Sequence, residues 1–286
     1  MYVMKKVNTQ EMKIREPIVD GIFYSNDQTE LHNRVNSLLN SAEVSDNNAI
    51  ASIVPHAGYN YSGRYTAAAI RSASGRTIKQ VTILAPVHRD PVDGIFLPES
   101  KYFRTPLGDI EVDQVAMDNI ESNSTKIVIN DIPHLEEHCI EVILPFIQVQ
   151  FPEAKIVPIL LGKASKTNIH ILANAINTAY SEQTHESLLL VSSNLCAYDE
   201  YEKANKQSER FLELVLSGSW ENILQAMEQR TVTACGAGCL ASFYAMEQTG
   251  LKPTILLSGD SSEANNDSSH IVKYAAISFT QTKGAS

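Results

Sequence analysis

Ile53-Val54-Pro55-His56-Ala57-Gly58-Tyr59-Asn60-Tyr61-Ser62-Gly63 is the stretch on which the reading of this chain turns. An apolar run ends at a proline, a histidine follows at once, and a loop with two glycines and two tyrosines leads into a helical pattern. That order describes a strand, a turn and a helix start. A second stretch repeats the idea: Val81-Thr82-Ile83-Leu84-Ala85-Pro86-Val87-His88. Short, continuously apolar runs are the mark of strands buried on both faces, as in a parallel sheet. Ligands of such sheets gather at the carboxyl ends of the strands. Two histidines at two strand ends therefore predict one shared site.

Working outward, apolar spacing predicts helices over 28–40 (Leu31, Val35, Leu38, Leu39), 63–73, 114–122, 136–150, 168–180, 198–216, 220–230 and 236–249. Pro145 lies inside the fourth of these and predicts a kink there. Strands are expected over 49–54, 80–85, 92–97, 154–161, 187–193, 254–257 and 273–279, with a polar loop over 258–269. Arg15 to Tyr24 reads as an extended arm turning at Asp20-Gly21, and Thr105 to Asp109 as a turn between short extended pieces. Strands alternate with helices, with no repeat and no linker. The expectation is one α/β domain over 1–286, with a mainly parallel central sheet flanked by helices and flexible ends at 1–14 and 281–286.

The chain has 286 residues, 43% of them hydrophobic, enough for a sizeable core. A formal charge of -10 counts against nucleic acid or an anionic membrane as the main partner. No apolar run approaches the roughly 20 residues needed to span a bilayer, and the first residues lack a signal-peptide core. A cytoplasmic protein is expected. Cys139, Cys196, Cys235 and Cys239 are too sparse for a disulfide scaffold, so reduced thiols are expected.

Neutral imidazole serves as metal ligand and as general base. If His56 and His88 hold a metal, a third ligand is needed, and Glu141, His134, His138, Asp260 and Cys235 are the candidates. Cys235 lies in Thr233-Ala234-Cys235-Gly236-Ala237-Gly238-Cys239, where a helix begins; a helix amino terminus favours a thiolate. Cys239, four residues on, reads as packing. In His134-Leu135-Glu136-Glu137-His138-Cys139-Ile140-Glu141, a helix would put His138 and Glu141 on one face. The order is not that of the HExxH zinc motif. Ser192-Ser193-Asn194 ends the most apolar strand, and Asn194 could orient a ligand there. No nucleophile elbow, phosphate loop or dinucleotide fingerprint is present.

These motifs together resemble the Memo family, also described as protein B of the AmmeMemoRadiSam system. The resemblance runs over nearly the whole chain. It includes Arg15-Glu16-Pro17-Ile18-Val19-Asp20-Gly21-Ile22-Phe23-Tyr24, Val54 to Gly63, Ala85-Pro86-Val87-His88, Thr105-Pro106-Leu107-Gly108 and Glu137 to Phe146. It continues through Ile156 to Leu160, Ser192-Ser193-Asn194, Cys235-Gly236 and Tyr274 to Phe279. The family is similar in fold to class III extradiol ring-cleaving dioxygenases, which hold ferrous iron with two histidines and a carboxylate. Carried over, the resemblance implies a non-haem site of His56, His88 and Cys235, with Tyr59, Tyr61, His138 and Asn194 lining the pocket. It implies iron or copper ahead of zinc, and redox behaviour. Prokaryotic members are often encoded beside a radical-SAM protein, which implies such a partner; animal members are linked to phosphotyrosine signalling. The chain departs from the family at Asn194 and Ala197, where members usually carry Asp and His, and at Cys139 and Ile143, where they usually carry Ser and Gln. The first two changes remove proton-transfer groups, so the resemblance leaves enzymatic activity undecided. The alternative it leaves is a catalytically inactive module that binds a peptide or small molecule in a vestigial dioxygenase pocket.

Overall fold

The computed structural model describes residues 13–89, 92–180, 185–247, 250–265, 267 and 269–281. The expected flexible ends fall mainly outside this set, although Ile14 and Gln281 themselves belong to strands. In chain order, β1 (Ile14–Arg15) precedes α1 (Gln28–Ser41), whose first turn is closed by the Asp27 side chain accepting from the Glu30 N–H. β2 (Ala51–Val54) is buried throughout. α2 (Tyr59–Arg71), capped by Gly58, starts earlier than the expected Gly63. β3 (Gln80–Pro86) and β4 (Ile95–Leu97) follow, then the hairpin of β5 (Tyr102–Thr105) and β6 (Gly108–Glu111), and α3 (Gln114–Glu121).

β7 (Ile127–Ile129) and α4 (Asp131–Glu136) are too short to carry a strong periodicity in the sequence. The helix expected over 136–150 is divided. Residues 137–140 leave the helix, Glu141–Ile143 form a single 3-10 turn, and α5 spans Leu144–Gln150. Pro145 sits in the first turn of α5, where its missing N–H breaks no helical bond, so it starts a helix rather than kinking one. β8 (Lys155–Leu161), α6 (Lys166–Tyr180), β9 (Ser187–Ser192), β10 (Cys196–Tyr198), α7 (Tyr201–Ser217), α8 (Trp220–Glu228) and α9 (Ala237–Tyr244) follow. α9 ends at Tyr244; residues 248 and 249 of the longer expected helix lie outside the described set. β11 (Leu251–Asp260), α10 (Ser262–Asn265) and β12 (Ile271–Gln281) close the chain.

The main sheet has the order β10-β12-β2-β9-β3-β8-β4-β7, with β11 also paired to β12. Its centre, β2-β9-β3-β8, is parallel as expected. The sheet as a whole is mixed rather than purely parallel: β4 and β7 also pair in parallel, but β12 runs antiparallel to β2, β10 and β11, and β4 antiparallel to β8. The connection from Asp260 to Ile271 is too short for a parallel crossover, which needs a dozen or more residues, so β11 and β12 pair antiparallel. β1, β5 and β6 form a separate three-stranded sheet. Ile53, Ile83, Leu84 and Leu190 are fully buried between the sheet and its helices. No helix among the described residues is long and apolar enough to cross a membrane.

What matters for function is the register at the top of the sheet. Val54 pairs with Ser192, and Leu84 with Val191. The carboxyl ends of β2, β9 and β3 therefore lie side by side, and His56, Asn194 and His88 leave the sheet from three adjacent strands.

Candidate metal centre

His56, two residues past β2, is 1% exposed, while His88, two residues past β3, reaches the surface with its side chain 34% exposed. Their rings meet edge-on with centroids 5.1 Å apart. Cys235, just before α9, completes the group: one ligand atom from each of the three lies within 4.8 Å of the others. The His56 Nε2 to Cys235 Sγ separation is 3.2 Å, near the about 3.5 Å expected for N and S sharing one tetrahedral ion. This close approach needs a glycine next to the thiol. A Cβ on Gly236 would collide with the Ser192 carbonyl and lie 2.6 Å from the Ser193 Cβ. Instead the Gly236 N–H donates to the Ser193 Oγ at 2.9 Å, fastening the start of α9 to the end of β9.

Both imidazoles are turned by hydrogen bonds at their far nitrogens. The Ser192 hydroxyl donates its one hydrogen to the Cys139 carbonyl at 2.7 Å. Its oxygen, 2.6 Å from His56 Nδ1, must then accept the Nδ1 proton. That leaves the Nε2 lone pair facing Cys235. His88 follows the same logic with a stronger acceptor: its Nδ1 lies 2.9 Å from Glu137 Oε1, and its backbone N–H donates to Glu137 Oε2 at 2.7 Å. Imidazole ligands of metal sites are held in this way, with the non-ligating N–H on a hydroxyl or carboxylate.

The electrostatics favour an anionic sulfur. Burial works against the charged form of Cys235, but the His56 and His88 imidazoles hold its thiol well below the ordinary range. Burial also pulls His88 down, yet bonding to Cys235 and Glu137 raises it to about 10. Glu137, only 5% exposed, is pushed up by burial and held far below the usual carboxylate range by His138 and His88. The other thiols behave oppositely: burial pushes Cys139 and Cys239 up, and Cys196 up to about 11. In the metal-free centre His88 thus carries a proton that an incoming ion displaces; with it gone the donor set is two imidazole nitrogens and one thiolate, which fits a transition metal with some softness rather than a cage of oxygens.

His138 belongs to the centre. Its ring stacks on His88 at 5.4 Å, meets His56 edge-on at 5.6 Å, and its Nδ1 lies 3.2 Å from Glu137 Oε1. Asn194 belongs too, as a brace: its N–H donates to Cys235 Sγ at 3.1 Å and its side-chain oxygen accepts from the His56 N–H at 3.1 Å. The two tyrosines stand elsewhere. Tyr59 packs between Tyr24 and Phe146, with its hydroxyl on the Val142 carbonyl. Tyr61, 40% exposed, lines a surface groove with Arg34, Leu38 and Glu263. Ala197 lies in β10 opposite Val272.

The other candidate ligands have other partners. Glu141 is fully buried, paired with Arg15, and accepts from the Ile18 and Val19 N–H groups and the Tyr24 hydroxyl. His134 is buried with its Nε2 at the Phe96 carbonyl. Asp260 pairs with Lys273 at 2.7 Å. Glu137 and Ser192 are the functional residues not singled out from the sequence. A partial signal for Ser192 existed, since it closes the most apolar strand of the chain, two residues before Asn194. Glu137 had none, because its role depends on α4 stopping one residue earlier.

A family profile described as Memo-like protein matches residues 15–278. A MEMO1 family protein of Nitrosopumilus maritimus is 31% identical over 275 residues, covering 93% of this chain and 99% of its own length. Those of Sulfurisphaera tokodaii and Aeropyrum pernix are each 31% identical as well, over 282 and 280 residues, covering 93% of this chain and 99% of their own lengths. Among solved structures, an uncharacterized protein of Escherichia coli K12 is similar at a TM-score of 0.47 and 9% identity, over 79% of this chain and 98% of its own.

Proposed function

The chain belongs to the Memo family, and from that premise we propose that it is a non-haem redox metalloprotein whose iron or copper is held by His56, His88 and Cys235. One observation carries the reading: three ligand atoms converge while the far nitrogen of each imidazole is already held by an acceptor. Side chains that merely pack have no reason to share this orientation. A bound iron or copper ion would supply one-electron chemistry and Lewis acidity at this position. The chain's own residues do the rest. Ser192 and Glu137 turn the two Nε2 atoms toward the ion's position, Asn194 steadies the thiolate with its N–H, and His138 keeps its Nδ1 toward Glu137 on the remaining side. We place the protein in the cytoplasm, in keeping with four free thiols, acting in one pathway with a radical-SAM protein as the family's prokaryotic members suggest.

The test is metal content and affinity after anaerobic purification. The parent is expected to hold close to one iron or copper per chain. His56→Ala and Cys235→Ala should lose it, and Cys239→Ala should keep it. Equal binding by all four proteins would sink the reading. A second reading, a catalytically inactive module binding a peptide or small molecule, is favoured by Asn194 and Ala197. The Asn194 side chain is tied to the His56 backbone, and alanine has no proton to move. Under that reading the iron-loaded protein consumes no dioxygen with any catechol and binds its ligand equally well without metal.

A further inference from the structure

We propose that Arg15 is a positioning residue of the centre, fixing His88 as a ligand by holding the backbone of Glu137; the inference rests on the metal reading above. Arg15 and Glu141 form an ion pair that is 1% and 0% exposed. The guanidinium does more than meet that carboxylate. Its Nε donates to the His134 carbonyl at 3.0 Å and its Nη2 to the Glu137 carbonyl at 2.7 Å. These carbonyls lie at the end of α4, where helical partners run out, so Arg15 is the cation that caps this helix. Glu137 then leaves the helix in an extended conformation, φ -107° and ψ 133°. From there its carboxylate receives both the backbone N–H and the Nδ1 of His88. One line of bonds runs from Arg15 through Glu137 to the metal-facing imidazole.

The same ion pair fastens the arm on the other side. Glu141 gathers the Ile18 and Val19 N–H groups and the Tyr24 hydroxyl. The arm so held carries Phe23, whose ring meets His138 edge-on at 5.1 Å. Arg15 thus secures the loop behind His88, and through Glu141 the arm that packs on His138. Only a planar fork reaches two carbonyls and a carboxylate at once; a lysine ammonium does not reproduce it.

The experiment measures cobalt(II) affinity of the full metal-free chain, anaerobically, by competition with a chromophoric chelator, together with the thiolate-to-cobalt absorption. Arg15→Lys should weaken binding tenfold or more, within the about 10–100-fold range for partners that orient metal ligands. Glu137→Gln should do the same. The double variant should lose far less than the product of the two single losses, because Arg15 acts on His88 through Glu137. Val35→Ala, a cavity variant in α1, should lower thermal stability and leave cobalt affinity at the parent value. Parental affinity and spectrum in Arg15→Lys would overturn the proposal, as would independent, multiplying losses in the double variant. Should Arg15→Lys fail to fold, Glu141→Asp, which draws the carboxylate back from Arg15, carries the same single and double comparison. A parent that takes up no cobalt would overturn the metal reading itself, a result distinct from either outcome for Arg15.

Discussion

Replacing Ser192 with alanine tests the centre at one hydroxyl. In the parent, that hydroxyl is fully buried, donates to the Cys139 carbonyl at 2.7 Å and accepts from His56 Nδ1 at 2.6 Å. His56 and Cys139 are 1% and 0% exposed, so water cannot readily replace it. Ser192→Ala strands one donor and one acceptor, each costing about 1–3 kcal/mol. The imidazole can escape part of this by moving its proton to Nε2. The net loss is then about 3 kcal/mol, which for a chain of this size lowers Tm by roughly 6–12 °C. The escape has a functional cost, because a protonated Nε2 cannot act as a ligand. Metal affinity should fall about 10–100-fold. Calorimetry on the metal-free protein gives the first quantity and chelator competition the second. Ser192→Thr, which keeps the hydroxyl, should recover most of the affinity. If Ser192→Ala binds metal within a factor of two of the parent, the tautomer argument is wrong, whatever the Tm.

Three further outcomes follow from the same geometry. Iodoacetamide should alkylate native, metal-free Cys235 first and stay fast below pH 7, since His56 and His88 hold that thiol down while burial raises the other three; His88→Ala should move the rate profile up in pH, and labelling mapped by mass spectrometry decides it. Burial lowers His134 to about 3 from an ordinary 6.5, so between those values the unfolded chain takes a proton that the folded chain refuses, and stability falls as the pH drops; from pH 6.5 to 5 the loss should be about 2 kcal/mol by urea unfolding, and His134→Gln should remove that slope. Glu141→Gln leaves the Arg15 charge buried without its partner and should cost about 3–5 kcal/mol by urea unfolding; a loss under about 1 kcal/mol would show that the pair is dispensable.

The ligands could be read from the sequence because each sits at a place with a local signature. His56 and His88 follow apolar strands, and Cys235 precedes a helix. The residues that orient them could not be read in the same way. Apolar spacing puts Glu137 in one helix with Glu141, yet the backbone breaks between them: Glu137 turns to His88, 49 residues away, and Glu141 to Arg15, 126 residues away. Helical spacing also made Glu141 a neighbour of His138, when its carboxylate was already committed to Arg15 and the arm. Tyr59 and Tyr61 share a loop with His56, but α2 begins at Tyr59, so its rotation carries both rings off the centre. Strand direction at the sheet flanks was hidden for a similar reason, since a buried apolar strand looks alike in either orientation.

By itself, the sequence determined an α/β chain of the Memo family with His56, His88 and Cys235 at element ends, because apolar periodicity, turn residues and motif order are local properties of the chain. Only the tertiary structure decided that Ser192 and Glu137 hold the imidazoles, that Asn194 braces rather than reacts, and that Glu141, His134 and Asp260 are not ligands. Those assignments rest on hydrogen bonds and ion pairs that, for all but Asp260, span tens of residues or more. A buried polar group takes whichever partner the fold brings within about 3 Å, and no spacing along the chain encodes that choice.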